Sequence, residues 1–574
     1  MGKLRAYIRP YYAFIALTMM IKLGGAVAEL FVPYFMERIL REGVVPGQSD
    51  RIWIYGGAML LCAAVCLGMN ITANRMSAKS SGKITRKIRF DLFEKLNALS
   101  ARQMDELTLP SAEARLTSDT YRVNEFLARG QRLGIRAPIL LIGGVVMMLT
   151  MEPTLALVLV ALLPIIAFTV WIVTKKSIPL YTEEQRVLDR MVNVVQENVT
   201  GVRVIKALSK TDYERTRFEG VNDALMRTDI KAGAVTGINN PVASLVLNLG
   251  LTAVVVIGAY RVSGGHTGAS VIVAFLQYFI MILNAMLGVT RIFIMASRAQ
   301  ASALRVTEVL ALPKDLEPLA PKETQQNDPP HIAFCDVTFS YTGIGENLAH
   351  LSFSLHRGQT LGILGATGAG KSTLINLLMR VYDADSGSVQ IDGRDVREWD
   401  RAALNSQFGV MFQNDFIHEG TIRDNIRFFR DIPDEAIERA ARDAQATEFI
   451  NEKDGGMDAA VSVRGNNLSG GQKQRLLIAR ALAGDPKILI LDDASSALDY
   501  RTDAALRKAL HARGDVTTVL IAQRISSVRH ADLILVFEDG KVIGAGDHDT
   551  LLRTCAEYRL IADSQMGTGE EADA

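Results

Sequence analysis

Three stretches in the C-terminal half carry residues that could do chemistry on phosphate. The first is Gly365, Ala366, Thr367, Gly368, Ala369, Gly370, Lys371, Ser372 and Thr373. It follows the strand-like Thr360–Leu364 and leads into the helix-like run from Thr373 to Arg380. Glycines at this spacing let backbone N–H groups curl around phosphate oxygens, and a helix start adds positive potential. Lys371 can bridge the outer phosphates of a nucleoside triphosphate, and the Ser372 hydroxyl can ligate magnesium. The second stretch, Leu489–Asp493, is an apolar strand ending in two carboxylates, and Asp492 suits the same magnesium ion. In the third, Leu468–Gln472, the residues Ser469, Gly470, Gly471 and Gln472 open a helix whose N–H groups suit a phosphate. The chemistry is that of bound ATP with Mg2+.

These stretches need an α/β scaffold. From His331 onward short β-rich runs alternate with helical ones, as in a soluble domain with a central sheet. The expected domain runs over 331–566. Pro313, Pro318, Pro321, Pro329 and Pro330 make 313–330 a linker, and the polar, acidic 567–574 reads as a disordered tail.

Residues 1–312 are of another kind. Six apolar segments, near 12–40, 52–74, 133–151, 153–175, 240–262 and 268–296, have the length to cross a bilayer. The connections near 75–132 and 176–239 are long, charged and helix-patterned; the others are short. Arg75, Lys79, Lys83, Arg86, Lys87, Arg89 and Lys95 follow the second span, so the long connections and both termini are expected in the cytoplasm of a cell-membrane protein. A net charge of +1 gives no field for nucleic acid, and the basic run beside a span reads as lipid-facing. Cys62, Cys66, Cys335 and Cys555 match neither a zinc spacing nor a disulfide framework. Lys22 and Glu29 lie seven residues apart on one face of the first span, and Arg136 lies in the third. Such charges line a wet cavity, pair helices or touch substrate, and they are too few for the charge rings of a channel. Met19, Met20, Met147, Met148, Met281 and Met286, with Gln277 and Asn284, stand on the candidate cavity helices. Met-rich walls suit varied apolar ligands, although Met also fills ordinary cores.

Leu468–Gln472 continues as Lys473-Gln-Arg-Leu-Leu-Ile-Ala-Arg480, and this run resembles the signature motif of ATP-binding cassette (ABC) proteins. Val337–Tyr341 resembles that family's aromatic adenine-stacking segment, Gly409–Gln413 its Q-loop and Ser496–Asp499 its D-loop. The resemblance covers about 330–565. It implies that Tyr341 stacks on adenine, that Gln413 serves both metal and catalysis, and that Asp499 belongs to the nucleotide site. Residues 1–312 resemble the six-helix domain of ABC exporters, with Gln196–Ala207 and Tyr213–Phe218 similar to its second cytoplasmic loop. The implied arrangement is an all-α six-helix transmembrane domain followed by an α/β P-loop domain with β-rich and helical subdomains. One such chain is half a transporter, because the family sandwiches each ATP between one chain's phosphate loop and another's signature.

Three positions depart from that family: Val463, in Ser462–Gly465 just before the signature, stands where related exporters usually place a Glu facing the coupling loops, and the other two bear on hydrolysis. The residue after the magnesium aspartate is usually Glu; Asp493 is one methylene shorter, roughly 1.5 Å of lost reach, and a misplacement of that size costs about a hundredfold in rate. The usual His of the H-loop is Gln523, which donates a hydrogen bond but cannot carry the charge. These last two departures strike hydrolysis, while Ser469–Gln472 is intact. The pattern resembles the degenerate-site subunit of heterodimeric exporters and implies a non-identical partner chain. The expected cargo is an amphipathic or hydrophobic small molecule, drug or lipid-like. No peptidase-like segment precedes the first span, which is an expectation against peptide processing. Coupling segments are expected near 109–119 and 207–216. A homodimeric exporter and a non-transporting, ATP-gated regulator or channel component remain as alternatives.

Overall fold

The computed structural model describes residues 2–313, 315–320, 328–413, 416–494 and 496–566. Residues 314 and 321–327 of the expected linker and all of the acidic tail 567–574 lie outside them. The chain divides into two compact units, one of 1–97 with 109–312 and one of 98–108 with 313–574. The division thus falls at Leu312/Pro313, with one exchange: residues 98–108 belong to the second unit.

The first unit is all helix. Its long helices are α1 (Tyr12–Arg38), α2 (Ser49–Asn97), α3 (Thr120–Met151), α4 (Pro153–Ala207), α5 (Thr211–Gly237), α6 (Asn239–Ser263) and α7 (Ala269–Ala311). Among the described residues five stretches are long and apolar enough to cross a membrane: Leu4–Val44, Ser49–Asn97, Leu109–Met151, Ser244–Ser263 and Ala269–Met286. The sixth expected span falls on α4, whose described apolar run is Pro153–Ile165. The 49 residues of α2 reach about 73 Å at 1.5 Å per residue, against a hydrocarbon core of about 30 Å. The long "loops" of the sequence are therefore largely continuations of the spanning helices.

Small residues let these helices close on one another. A Cβ on Gly143 would meet Leu30 at 2.4 Å, and one on Gly144 would meet Ile282 at 2.7 Å. Close approach through small residues is the main packing device available in lipid. It brings α1, α3 and α7 together around Ala26, Leu30, Ala137, Leu140, Tyr278 and Ile282. The buried Tyr278 hydroxyl donates to the Leu30 carbonyl at 2.6 Å, satisfying a polar group that lipid could not.

The second unit contains two main sheets. The first runs in the order β2 (Leu348–Leu355), β1 (Ile332–Phe339), β4 (Ser386–Ile391), β5 (Arg394–Asp395), all antiparallel. The second runs β12 (Lys541–Gly546), β11 (Leu533–Glu538), β3 (Thr360–Gly365), β10 (Thr517–Ile521), β9 (Ile488–Asp492), β6 (Phe408–Met411). It is parallel except at its β12 edge. All five residues of β9 are buried, as a continuous apolar strand in the middle of a parallel sheet must be. A helical subdomain of Ile422–Arg427, Asp434–Asp443, Thr447–Asn451 and Gly470–Leu482 has its own core, including Ile426, Ile437, Phe449, Leu476 and Ile478. Ligands of such open sheets bind beyond the C-terminal strand ends. Both the glycine-rich loop after β3 and the carboxylates after β9 stand there.

Candidate nucleotide site

The phosphate loop has the backbone its glycines permit. Gly368 and Gly370 have φ of 87° and 102°, values that favour glycine, and a Cβ on Gly370 would lie 2.9 Å from the Asn347 carbonyl. The helix Lys371–Leu378 begins directly after it. The Lys371 ammonium donates to the carbonyls of Gly365 and Ala366, at 2.8 and 2.7 Å. Burial lowers its pKa, while Asp492 and Asp493 hold it up. Asp492 is buried, with its pKa raised first by desolvation and then by Asp493; Lys371 and a hydrogen bond from Ser372 oppose the rise. A hydroxyl, a carboxylate and a lysine thus converge. Among the described residues no three His, Cys, Asp or Glu side chains form a metal cluster. The donors fit Mg2+ of the kind that takes one or two protein oxygens and completes its shell with phosphate and water.

The two departing residues that bear on hydrolysis stand at successive strand ends. Asp493 follows β9 and has φ of 56°, a left-handed conformation that Asp tolerates better than most. Its N–H donates to Ile521 O at 3.0 Å. Its carbonyl accepts from Gln474 Nε2 at 3.2 Å and from the Ser496 hydroxyl at 3.1 Å. The same Gln474 amide donates to Ser496 Oγ (2.8 Å) and accepts from Ala497 N (3.0 Å). One side chain of the helix Gly470–Leu482 therefore fixes the whole turn after Asp492. Gln523 follows β10 with its side chain exposed, and its carbonyl accepts from Gln565 Nε2 at 2.9 Å. Gln565 Oε1 in turn accepts from Ile525 N at 2.8 Å, so the last helix brackets this loop. Gln413 is exposed and lines, with Asp493, Lys473 and Gln474, a cavity of about 480 Å³.

Ser469 caps the helix Gly470–Leu482, accepting from Gln472 N at 3.3 Å, while Gln472 Oε1 accepts from Ser469 N at 3.1 Å. This reciprocal capping box sets the hydroxyl at the positive end of the helix. Gly471 is needed for a close approach: a Cβ there would meet Ala497 O at 3.0 Å. Deeper in the helix, buried Arg480 donates to Asn425 O and Phe416 O, at 2.8 and 2.6 Å, tying the signature helix to the chain after the Q-loop. Asp499 is itself a helix cap, accepting from Thr502 N at 2.8 Å.

Tyr341 lies at the edge of the phosphate-loop helix, its hydroxyl 3.3 Å from Thr373 Oγ1 and 3.2 Å from Asn376 Nδ2. It meets Tyr382 edge to face at 5.1 Å. Tyr382 donates to Asp105 at 2.6 Å, and Ser100 donates to Asp315 at the same distance. The helix Ala101–Leu107 is thus anchored on the nucleotide-binding unit. The first expected coupling segment, Leu109–Asp119, belongs to the transmembrane unit, and the anchored helix lies just before it in the chain. The second expected segment, 207–216, covers the turn 208–210 between α4 and α5 and the first residues of α5, with Leu208 and Tyr213 exposed. Gln474, Gln565 and Tyr382 were not anticipated. Their partners are 19 to 277 residues away, and no local pattern signals them.

Comparison with known proteins agrees with this architecture. Residues 15–286 match the ABC transporter transmembrane region family, and 348–496 match the ABC transporter family. An uncharacterised ABC transporter ATP-binding protein of Mycobacterium tuberculosis is 34% identical over 570 residues, covering 98% of this chain and 97% of that protein. The chain belongs to the ABC transporter family. YfiB of Bacillus subtilis, also an uncharacterised ABC transporter ATP-binding protein, is 32% identical over 99% of both chains. The ATP-dependent lipid A-core flippase of Vibrio vulnificus is 29% identical, over 99% of this chain and 98% of that one. A bacterial Atm1-family ABC exporter solved with ATP bound has the same fold, with a TM-score of 0.81 at 23% identity over 99% of this chain and all of that one. A helical transmembrane domain fused to one ABC nucleotide-binding domain is the exporter arrangement, and ABC exporters work as dimers.

Proposed function

We propose that this chain is the slow half of an unequal ABC exporter pair in the cell membrane, with both termini cytoplasmic. Its Tyr341, Lys371, Ser372 and Asp492 would hold an ATP with Mg2+, the metal neutralising phosphate charge. Asp493 and Gln523 would turn that ATP over slowly. Its Ser469–Gln472 would complete a faster site on a non-identical partner. The observation that carries the reading is the fixed backbone of Asp493: held at both N–H and C=O, it cannot advance to recover the reach that the shorter side chain lacks. Closure of the nucleotide domains around ATP would move the anchored helix Ala101–Leu107, which is continuous in the chain with α2. The cargo is an amphipathic small molecule. Support for that comes from the Vibrio vulnificus relative, an ATP-dependent lipid A-core flippase.

The test is ATPase activity of the purified chain alone and with its partner. Robust hydrolysis by the chain alone, abolished by Asp493→Asn, would sink the degenerate-site reading. That outcome would favour a homodimer, for which the intact signature on the same chain is the supporting observation.

A further inference from the structure

The charges within the spans are not scattered. Arg136 on α3 donates to both carboxylate oxygens of Glu29 on α1, at 3.1 and 2.6 Å. Lys22, two turns before Glu29, is buried and donates to Asn70 on α2. Arg132, one turn from Arg136, lies within electrostatic reach of Lys22, as do Glu29 and Arg136. Among the described residues this cluster therefore has three cations and one carboxylate.

The Glu29–Arg136 pair forms one wall of a cavity of about 330 Å³ among α1, α3 and α7. The opposite wall is a single face of α7, on which Gln277, Met281, Asn284 and Gly288 recur at helical spacing. Gln277 and Asn284 are exposed to the cavity side of an otherwise buried helix segment that includes Phe275, Tyr278, Phe279 and Ile282. Leu133, Leu140 and Ile280 supply the apolar lining. The volume is at the small end of ligand cavities, about 300–1,000 Å³, enough for a head group and the first methylenes of a chain.

Unbalanced charge in a span is costly unless something answers it, and intramembrane charges mark ligand paths for that reason. We propose that this cavity binds an amphiphile with an anionic head group, phosphate or carboxylate, which takes over Arg136 from Glu29. The planar guanidinium offers paired donors that fit either anion as well as it fits Glu29. Lys22 and Arg132 supply the surplus positive potential. Gln277 and Asn284 hydrogen-bond the remaining head-group oxygens, and Met281 with the leucines takes the start of the chain. Glu29 is thus the internal competitor that keeps Arg136 satisfied between ligands. The site deepens the exporter reading by naming a cargo class and rests on it for that role, but binding itself requires neither ATP nor a partner.

The test uses the full-length chain in nanodiscs of net-neutral phosphatidylcholine. Binding of dodecyl phosphate, dodecyltrimethylammonium and dodecyl maltoside is compared, so that only the head group changes. Dodecyl phosphate is expected to bind at least about tenfold more tightly than the cation, with Arg136→Gln erasing the difference and Glu29→Gln strengthening phosphate binding by about tenfold. A gain in Glu29→Gln cannot come from misfolding. Equal binding of the cation and the anion, or a preference unchanged in Arg136→Gln, overturns the proposal. So does weaker phosphate binding in a folded Glu29→Gln. Discs doped with phosphatidic acid identify the source: competition with dodecyl phosphate assigns a bilayer lipid, and its lack assigns a soluble amphiphile. If the anion preference holds but ATP-driven efflux fails, only the exporter reading falls. If efflux holds without the preference, only this inference does.

Discussion

Restoring the two departing residues that bear on hydrolysis should convert this chain into an active ATPase. The perturbation is Asp493→Glu with Gln523→His. Asp493 N is bonded to Ile521 O at 3.0 Å, and its carbonyl takes bonds from Gln474 and Ser496. The backbone is therefore fixed, and reach can come only from the side chain. One added methylene supplies about 1.5 Å, and a misplacement of 1 Å or more costs about a hundredfold. Asp493→Glu alone should then raise turnover by about a hundredfold, equivalent to about 2.7 kcal/mol of barrier. It also has a cost: at φ of 56° Asp is tolerated where Glu is strained, by roughly 1 kcal/mol. Thermal unfolding of the nucleotide-binding unit should drop by about 2–4 °C while the rate rises, so activity and stability move in opposite directions. Gln523→His adds a group that can carry positive charge where the proposed reading puts the γ-phosphate; because both residues would act on one bond, their effects need not add. The assay is phosphate release from the chain alone with Mg-ATP, since its own signature can complete a paired site. A double variant that folds, binds ATP and hydrolyses no faster than the original refutes the reasoning. So does an original chain that is already fast.

Other perturbations separate binding from turnover. Lys371→Ala should weaken ATP binding at least about tenfold with little change in melting, because its ammonium bonds only to loop carbonyls; titration with a fluorescent ATP analogue reads this. Gln474→Leu should lower kcat of the paired transporter by about tenfold or more while leaving KM for ATP nearly unchanged, because it frees the turn after Asp492 without touching the phosphate loop; steady-state kinetics check the split. Stability of the nucleotide-binding unit should fall as pH drops below about 6.5, the ordinary histidine value. His331 is fully buried at the start of β1, with Nδ1 on Thr517 Oγ1 at 2.6 Å, and burial lowers its pKa although Asp392 partly opposes. The unfolded chain therefore takes up a proton that the folded chain does not, and acid favours unfolding. His331→Gln should flatten that dependence in melting curves taken across pH 5 to 7, a window set by the direction of the shift.

The parts of this protein legible in sequence are those written in consecutive residues. The phosphate loop, the signature and the strand ending in Asp492 each need only a few neighbours and a known element on either side, and the chain folds each of them locally. Five of the six expected membrane spans are legible for the same reason, since one long apolar run is enough. The helix Ala101–Leu107 carries a local marker, because Ser100 and Gln103 form a capping box at its start, but nothing local signals that it belongs to the nucleotide-binding unit. What no run of residues discloses is the long-range pairing that gives these parts their reach. Periodicity put Lys22 and Glu29 on one face, but Arg136, which answers Glu29, is 107 residues away.

The same holds at the nucleotide site, with a sharper consequence. Read alone, Asp493 and Gln523 are two substitutions. In the structure the carbonyl of each is held by a distant glutamine, Gln474 for Asp493 and Gln565 for Gln523. A site relaxing toward loss of function would be expected to lose such supports, because nothing would select against a mobile turn. Here the turn is fixed by the signature helix itself, through three bonds to one amide. The element that would complete the partner's site therefore also sets the geometry of this chain's own. On the proposed reading of an unequal pair, the slow site would be coupled to the fast one, and Gln474 is where cutting that coupling should lower turnover without loosening ATP.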